Sequence, residues 1–150
     1  MAELFTGINE IALAVDDIDE AAERLGQALQ SKVDPVTTHD EHGIEMKQRG
    51  VWVGDTRVAL ISDATADGTG PVQRFLDKRG QGFYEICLQT SDIQAAIAHL
   101  KEHGMRFIDE EPRILRDYPW GNETFSEVHV VFVHPASSYG LLIELQQWIK

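Results

Sequence analysis

Apolar and polar positions along the chain alternate like a strand, then switch to a helical spacing, and they do so twice. In "INEIALAV", Ile11, Leu13 and Val15 fall on one side of a strand and Glu10, Ala12 and Ala14 on the other. A helix follows, with Asp16 or Asp17 as its cap and Ile18, Ala21, Ala22, Leu25 and Leu29 as its apolar stripe. From Glu85, 75 residues later, "EICLQTSDIQ" restates the plan. Its helix carries Ile93, Ala96, Ile97 and Leu100, with Ser91 and Gln94 as a capping box and Gly104 as its stop.

Residues 10–25 and 85–100 align without a gap and agree at seven of sixteen positions, and Asp34 and Asp109 keep the same offset. Self-similarity at half the chain length marks a duplicated unit. Each helix is followed by three strand-like runs, at about 33–38, 44–53 and 56–62, then at about 105–108, 124–133 and 139–147. The pattern is therefore βαβββ, twice, in one α+β domain over 1–150, with repeat units at about 4–63 and 80–148. The stretch at about 70–79, opening with Pro71 between glycines, predicts a short helical linker. The extra loop 113–126, with its turn formers and aromatics, is either a lid or a solvated hairpin extension.

Composition narrows the partners. A length of 150 residues suffices for one core. The net charge of −12 argues against nucleic acid and anionic membrane. The longest apolar runs are short of a membrane span. A single cysteine, Cys87, and no basic–apolar start point to the cytoplasm. A polyanionic ligand would need a local basic patch, for which Lys32, Lys47, Arg49, Lys78 and Arg79 are the candidates.

The alternation also isolates a chemical face. Glu10–Ala12–Ala14 and Glu85–Cys87–Gln89 point away from the helices, and "GLLIELQQW" sets Glu144 between Ile143 and Leu145. Carboxylates gathered on one interior face either repel and perturb one another, hold a cation, or are neutralised by a base such as Arg57. Cys87 falls on this face as a small interior thiol, and His129 is a candidate lining residue. Trp120, in the extra loop, is the candidate aromatic contact with a substrate.

Taken together, "INEIALAVDDIDEAAERL", "EHGIEM", "GPVQRFLDKRGQGFYEI", "IDEEPR", "VFVHP" and "LLIEL" resemble the vicinal oxygen chelate superfamily, and within it the methylmalonyl-CoA epimerases. The resemblance implies βαβββ modules paired into a curved, cup-like mixed sheet. It implies a small-molecule substrate, a homodimer, and proton transfer beside a carbonyl, with an acyl or coenzyme A thioester as substrate. The family's metal ligands are histidine, glutamine or glutamate, histidine and glutamate. Those positions read here as Glu10, Ala59, Glu85 and Glu144. Glu10, Glu85 and Glu144 would then form an all-carboxylate site suited to magnesium or manganese, with cobalt also considered, or a site with no metal. Glu41, in "DEHGIE", matches the family's proton-transfer glutamate, with Glu10 and Glu85 as further acid/base groups. Epimerase-like isomerases and lyases fit this set. So does a metal-free ligand-sequestering protein of the bleomycin-resistance type.

Overall fold

A computed structural model of the chain describes residues 3–41, 44–120 and 122–150, with the backbone alone at positions 40, 41 and 44. Contacts divide it into two compact units. One is Glu10–Tyr84, and the other joins the chain up to Asn9 with Glu85–Lys150.

The first unit runs β1 (Phe5–Ala14, shared with the other unit), α1 (Ile18–Ala28), β2 (Thr37–Glu41), β3 (Ile44–Val53), β4 (Thr56–Asp63) and α2 (Pro71–Arg79). Its strands lie in the order β2-β3-β4-β1, with β1 parallel to β4 and β3 antiparallel to both neighbours. Asp17 caps α1, its carboxylate accepting from the N–H groups of Asp19 and Glu20. Leu13, Val15, Val51 and Leu60 pack on α1 through Ile18, Ala21, Ala22 and Leu25. The other side of β1 and β4, Ala12, Ala14, Ala59 and Ile61, packs against Val72, Phe75 and Leu76 of α2. Alanines at these positions let that helix approach the sheet closely. Gly26 plays the same part on α1, where a Cβ would stand 2.6 Å from Val33 Cγ2.

The second unit adds β5 (Gly82–Thr90), α3 (Ile93–Glu102), β6 (Arg113–Trp120), β7 (Glu123–Val133) and β8 (Ile143–Ile149). Its strand order is β5-β8-β7-β6, with β5 parallel to β8. Ile93, Ala96 and Ile97 of α3 pack on Val131 and Leu145 with Leu88. The βαβββ order thus runs twice.

Three expectations need correcting, and one open choice is decided. The run at 33–38 is strand only from Thr37, where β2 begins, with Val33 making an isolated bridge to Val51, and 105–108 reduces to an isolated bridge from Phe107 to Val133. Pro35 and Pro112 follow closely and cannot donate to a ladder. The 113–126 stretch takes the hairpin alternative and not the lid: β6 pairs with β7 from Arg113↔Val130 to Trp120↔Glu123. The last strand begins at Ile143 rather than 139, because Tyr139 and Gly140 are left-handed (φ 58 and 85°) and close a turn. Asp92, not a Ser91–Gln94 box, caps α3 by accepting from Ala95 N–H.

Candidate functional site

In the first unit the chemistry gathers around Arg57. The parallel register places Glu10 opposite Arg57, and the antiparallel one places Trp52 beside it. Arg57 Nη1 donates to Glu10 Oε2 at 2.7 Å and to Gln48 Oε1 at 3.3 Å, while Nε donates to Asp34 Oδ2 at 3.1 Å. Trp52 Nε1 donates to both Asp34 oxygens at 3.0 Å. Glu10, Asp34, Gln48 and Arg57 are all buried. A guanidinium fork suits such bidentate carboxylate pairing, and in a buried site the partners must be present to offset desolvation. Gly50 makes the room. A Cβ there would fall 2.3 Å from Arg57 Nε and 2.5 Å from Asp34 Oδ2.

His39, on β2, hydrogen-bonds with Thr37, its Nε2 2.9 Å from Thr37 Oγ1. Burial first, and the Arg57 guanidinium second, hold its pKa below the usual 6.5, so it is neutral at physiological pH. Glu41 ends β2, its backbone in register with Ile44. Its side chain, and all of His42 and Gly43, lie outside the described residues.

In the second unit, Glu85, Cys87 and Glu144 come together. All three are buried, and one ligand atom of each lies within 4.8 Å of the others. Cys87 pairs with Glu144 in the β5–β8 register, and its Sγ–H donates to Glu144 Oε2 at 2.8 Å. Further along β8, Gln146 Oε1 accepts from Asn9 and from Trp148 Nε1. Trp148 is ringed edge-on by Tyr118, Trp120 and Phe125, with centroids 5.7, 4.7 and 4.7 Å away. Trp120 is therefore part of the packing that holds the β6–β7 hairpin on β8. Trp148 itself stands about 13 Å from Glu144 along β8, by strand rise.

His129 does not line the Glu144 face. It stands opposite Gln147, on the side where Val131 and Leu145 meet α3, and its Nε2 lies 2.8 Å from Glu127 Oε2. Val128 and Val130 take the Glu144 side instead, opposite Trp148 and Gln146. The parity of β7 is set by its valines. Glu127, bonded by His129 and Arg116, has its carboxyl held below the usual range.

The residues do not fit the four-position metal set of the family resemblance. Ala59 offers no donor and lies inside the apolar cluster under α2. Glu10, expected in a carboxylate cluster, is ion-paired to Arg57 instead. In the second unit two carboxylates and a thiol do stand close enough to share an ion, but the thiol S–H is directed at Glu144 Oε2 and engages that carboxylate as a donor. The sequence named Arg57 as a neutralising base and missed its setting. A strand-interior glycine at Gly50 and the repeated Asp34 offset were the available signals.

Residues 9–121 match the model of a family described as the glyoxalase/bleomycin resistance protein/dioxygenase superfamily. The chain is 30% identical to the human mitochondrial methylmalonyl-CoA epimerase over 93% of its length and 73% of that protein. It is 30% identical to the ethylmalonyl-CoA/methylmalonyl-CoA epimerase of Cereibacter sphaeroides, over 93% of this chain and 96% of that one. The crystal structure of methylmalonyl-CoA epimerase from Mycobacterium tuberculosis superposes with a TM-score of 0.78 at 28% identity, covering 98% of this chain and 91% of that one. No described helix is long and apolar enough to cross a membrane.

Proposed function

The chain belongs to the glyoxalase/bleomycin resistance protein/dioxygenase superfamily, with the vicinal oxygen chelate fold, and from that premise we propose that it is an epimerase of a small acyl-CoA thioester. The supporting observation is the run of similarity to acyl-CoA epimerases over 93% of the chain. Within that frame two buried carboxylates, Glu85 and Glu144, stand beside a proton-donating thiol.

The reaction asks for little more than proton movement. A base removes the proton from the carbon next to the thioester carbonyl, the resulting enolate is held by hydrogen-bond donors, and a proton returns to the same carbon. Glu41 is the base in this reading. Glu85, with the Cys87–Glu144 pair, supplies further proton-carrying groups, because closely placed acids with unlike surroundings divide acid and base roles. Glu10, fixed by Arg57, serves position rather than proton transfer. No step is routed through a metal. The protein is read as a cytoplasmic homodimer.

The test is solvent exchange. The protein is incubated with methylmalonyl-CoA or ethylmalonyl-CoA in deuterated buffer, and deuterium at the α-carbon is followed by mass spectrometry. Catalysed exchange with inversion is the expected result. Tight thioester binding without exchange would replace this reading with the ligand-sequestering one.

A further inference from the structure

The first unit carries its own cation. We infer that Arg57 is a tethered substitute for a divalent ion: its guanidinium fills an oxygen-lined position between Glu10, Gln48 and Asp34 that would otherwise bind one. The donors approach from three segments: Glu10 from β1, Gln48 from β3, and Asp34 from the stretch before β2. Two carboxylates and an amide oxygen are a hard donor set of the kind that holds magnesium, manganese or calcium.

Every member of the set is buried, none more than 9% exposed, so solvent does not supply the balancing charge. Arg57 supplies one positive charge to the two carboxylates: Nη1 serves Glu10 and Gln48 while Nε serves Asp34. Trp52 Nε1 adds a neutral donor to both Asp34 oxygens, taking up part of the second carboxylate's demand. The space is cut to the guanidinium, since the missing Cβ of Gly50 leaves room for its Nε and Cζ and a methyl group would strike both. An ion at Glu10 would have to displace a buried side chain that is ion-paired to both carboxylates. Removing that side chain leaves two buried carboxylates and an amide oxygen around the space it held.

The inference concerns charge rather than turnover, so its readouts are metal content and melting temperature. They answer whether or not the chain epimerises a thioester. Wild type, Glu10→Gln, Arg57→Ala and the Arg57→Ala/Glu10→Gln double variant are dialysed against Mn2+, and bound metal is measured by elemental mass spectrometry. All four are made in a common His99→Gln background, because exposed His99 of α3 and the C-cap residue His103, with ring centroids 4.5 Å apart, offer a surface imidazole pair.

Glu10→Gln is expected to leave metal uptake at the wild-type level. Arg57→Ala gains about one ion per chain over wild type, its Tm rises with Mn2+ by mass action, and the double variant loses that gain. Wild-type Mn2+ that disappears in Glu10→Gln overturns the inference, and so does a folded Arg57→Ala that gains none. Should Arg57→Ala fail to fold, the Glu10→Gln comparison decides alone, unchanged uptake supporting the tethered cation and lost uptake refuting it.

Discussion

The Cys87 thiol donates to Glu144 Oε2 across 2.8 Å, between parallel strands whose register sets the two residues directly opposite each other. Cys87 has no exposed surface and Glu144 has little, so this donor stands where water would otherwise serve the carboxylate. Cys87→Ala takes a donor from a buried acceptor and should cost about 1–3 kcal/mol. Cys87→Ser keeps an O–H and should cost less. Urea denaturation of the two variants checks this, and equal losses would show that thiol volume, not its hydrogen bond, matters. The native thiol should also resist alkylation until the protein unfolds.

Arg57 and Gly50 form one device, and their substitutions should not add. Arg57→Met strands two buried carboxylates and should cost roughly 3–5 kcal/mol. Gly50→Ala pushes a methyl group into Arg57 Nε and should cost about 1–3 kcal/mol by overpacking. Once the guanidinium is gone, the alanine meets only part of its former obstacle, so the double variant should fall short of the sum. A double-mutant cycle in chemical denaturation measures the shortfall. Strict additivity would mean that Gly50 is needed for the strand rather than for Arg57.

His39 should leave a mark on stability at mildly acidic pH. Burial, then the Arg57 guanidinium, holds its folded pKa below the usual 6.5. Between the two values the unfolded chain binds more protons than the folded one, so stability falls as pH drops through that window. Above 6.5 both states are neutral and the contribution is constant, and below the folded value the loss levels off. The difference in urea midpoint between wild type and His39→Gln, followed from about pH 8 to about pH 5, isolates this slope from the other histidines. A difference that does not change with pH would show that His39 titrates alike in both states. Arg57→Met removes the second cause and should shrink the window.

Much of this was legible in the sequence because it is periodic. The doubled strand–helix opening at Glu10 and Glu85 specified the βαβββ order and the side of β1 and β5 that meets the helix following each. It did not specify that α2 covers the Ala12–Ala14 side, which was expected to face away from the helices. Alternation likewise put Cys87 on the side of Glu144. The side taken by His129 was not legible, because "VHVVFV" is apolar on both sides and parity there depends on pairing with β8. Pro119 and Asp117 left 113–126 open between a lid and a hairpin extension, because they read as turn formers yet are tolerated on an edge strand. The Arg57 network was hidden for another reason. Asp34 keeps the repeat offset with Asp109, but Gln48 and Gly50 belong to no period, and the meeting of all three with Arg57 is decided by register across strands far apart in the chain.

Glu41 offers the sharpest separation of enzyme from binding protein. A carboxylate that takes the substrate proton acts in the transition state more than in the bound ground state, so its loss should appear in kcat rather than in KM. Glu41→Gln keeps size and polarity while removing the base. It should lower exchange of the substrate's α-proton by about 10²–10⁴-fold, with KM little changed. Glu10→Gln, altering a residue already committed to Arg57, should cost mainly stability, with a smaller loss of rate. Steady-state kinetics and deuterium exchange on the same thioester measure both. If Glu41→Gln raised KM and spared kcat, Glu41 would be a binding contact, and the proton-transfer role would pass to Glu85 and the Cys87–Glu144 pair of the second unit.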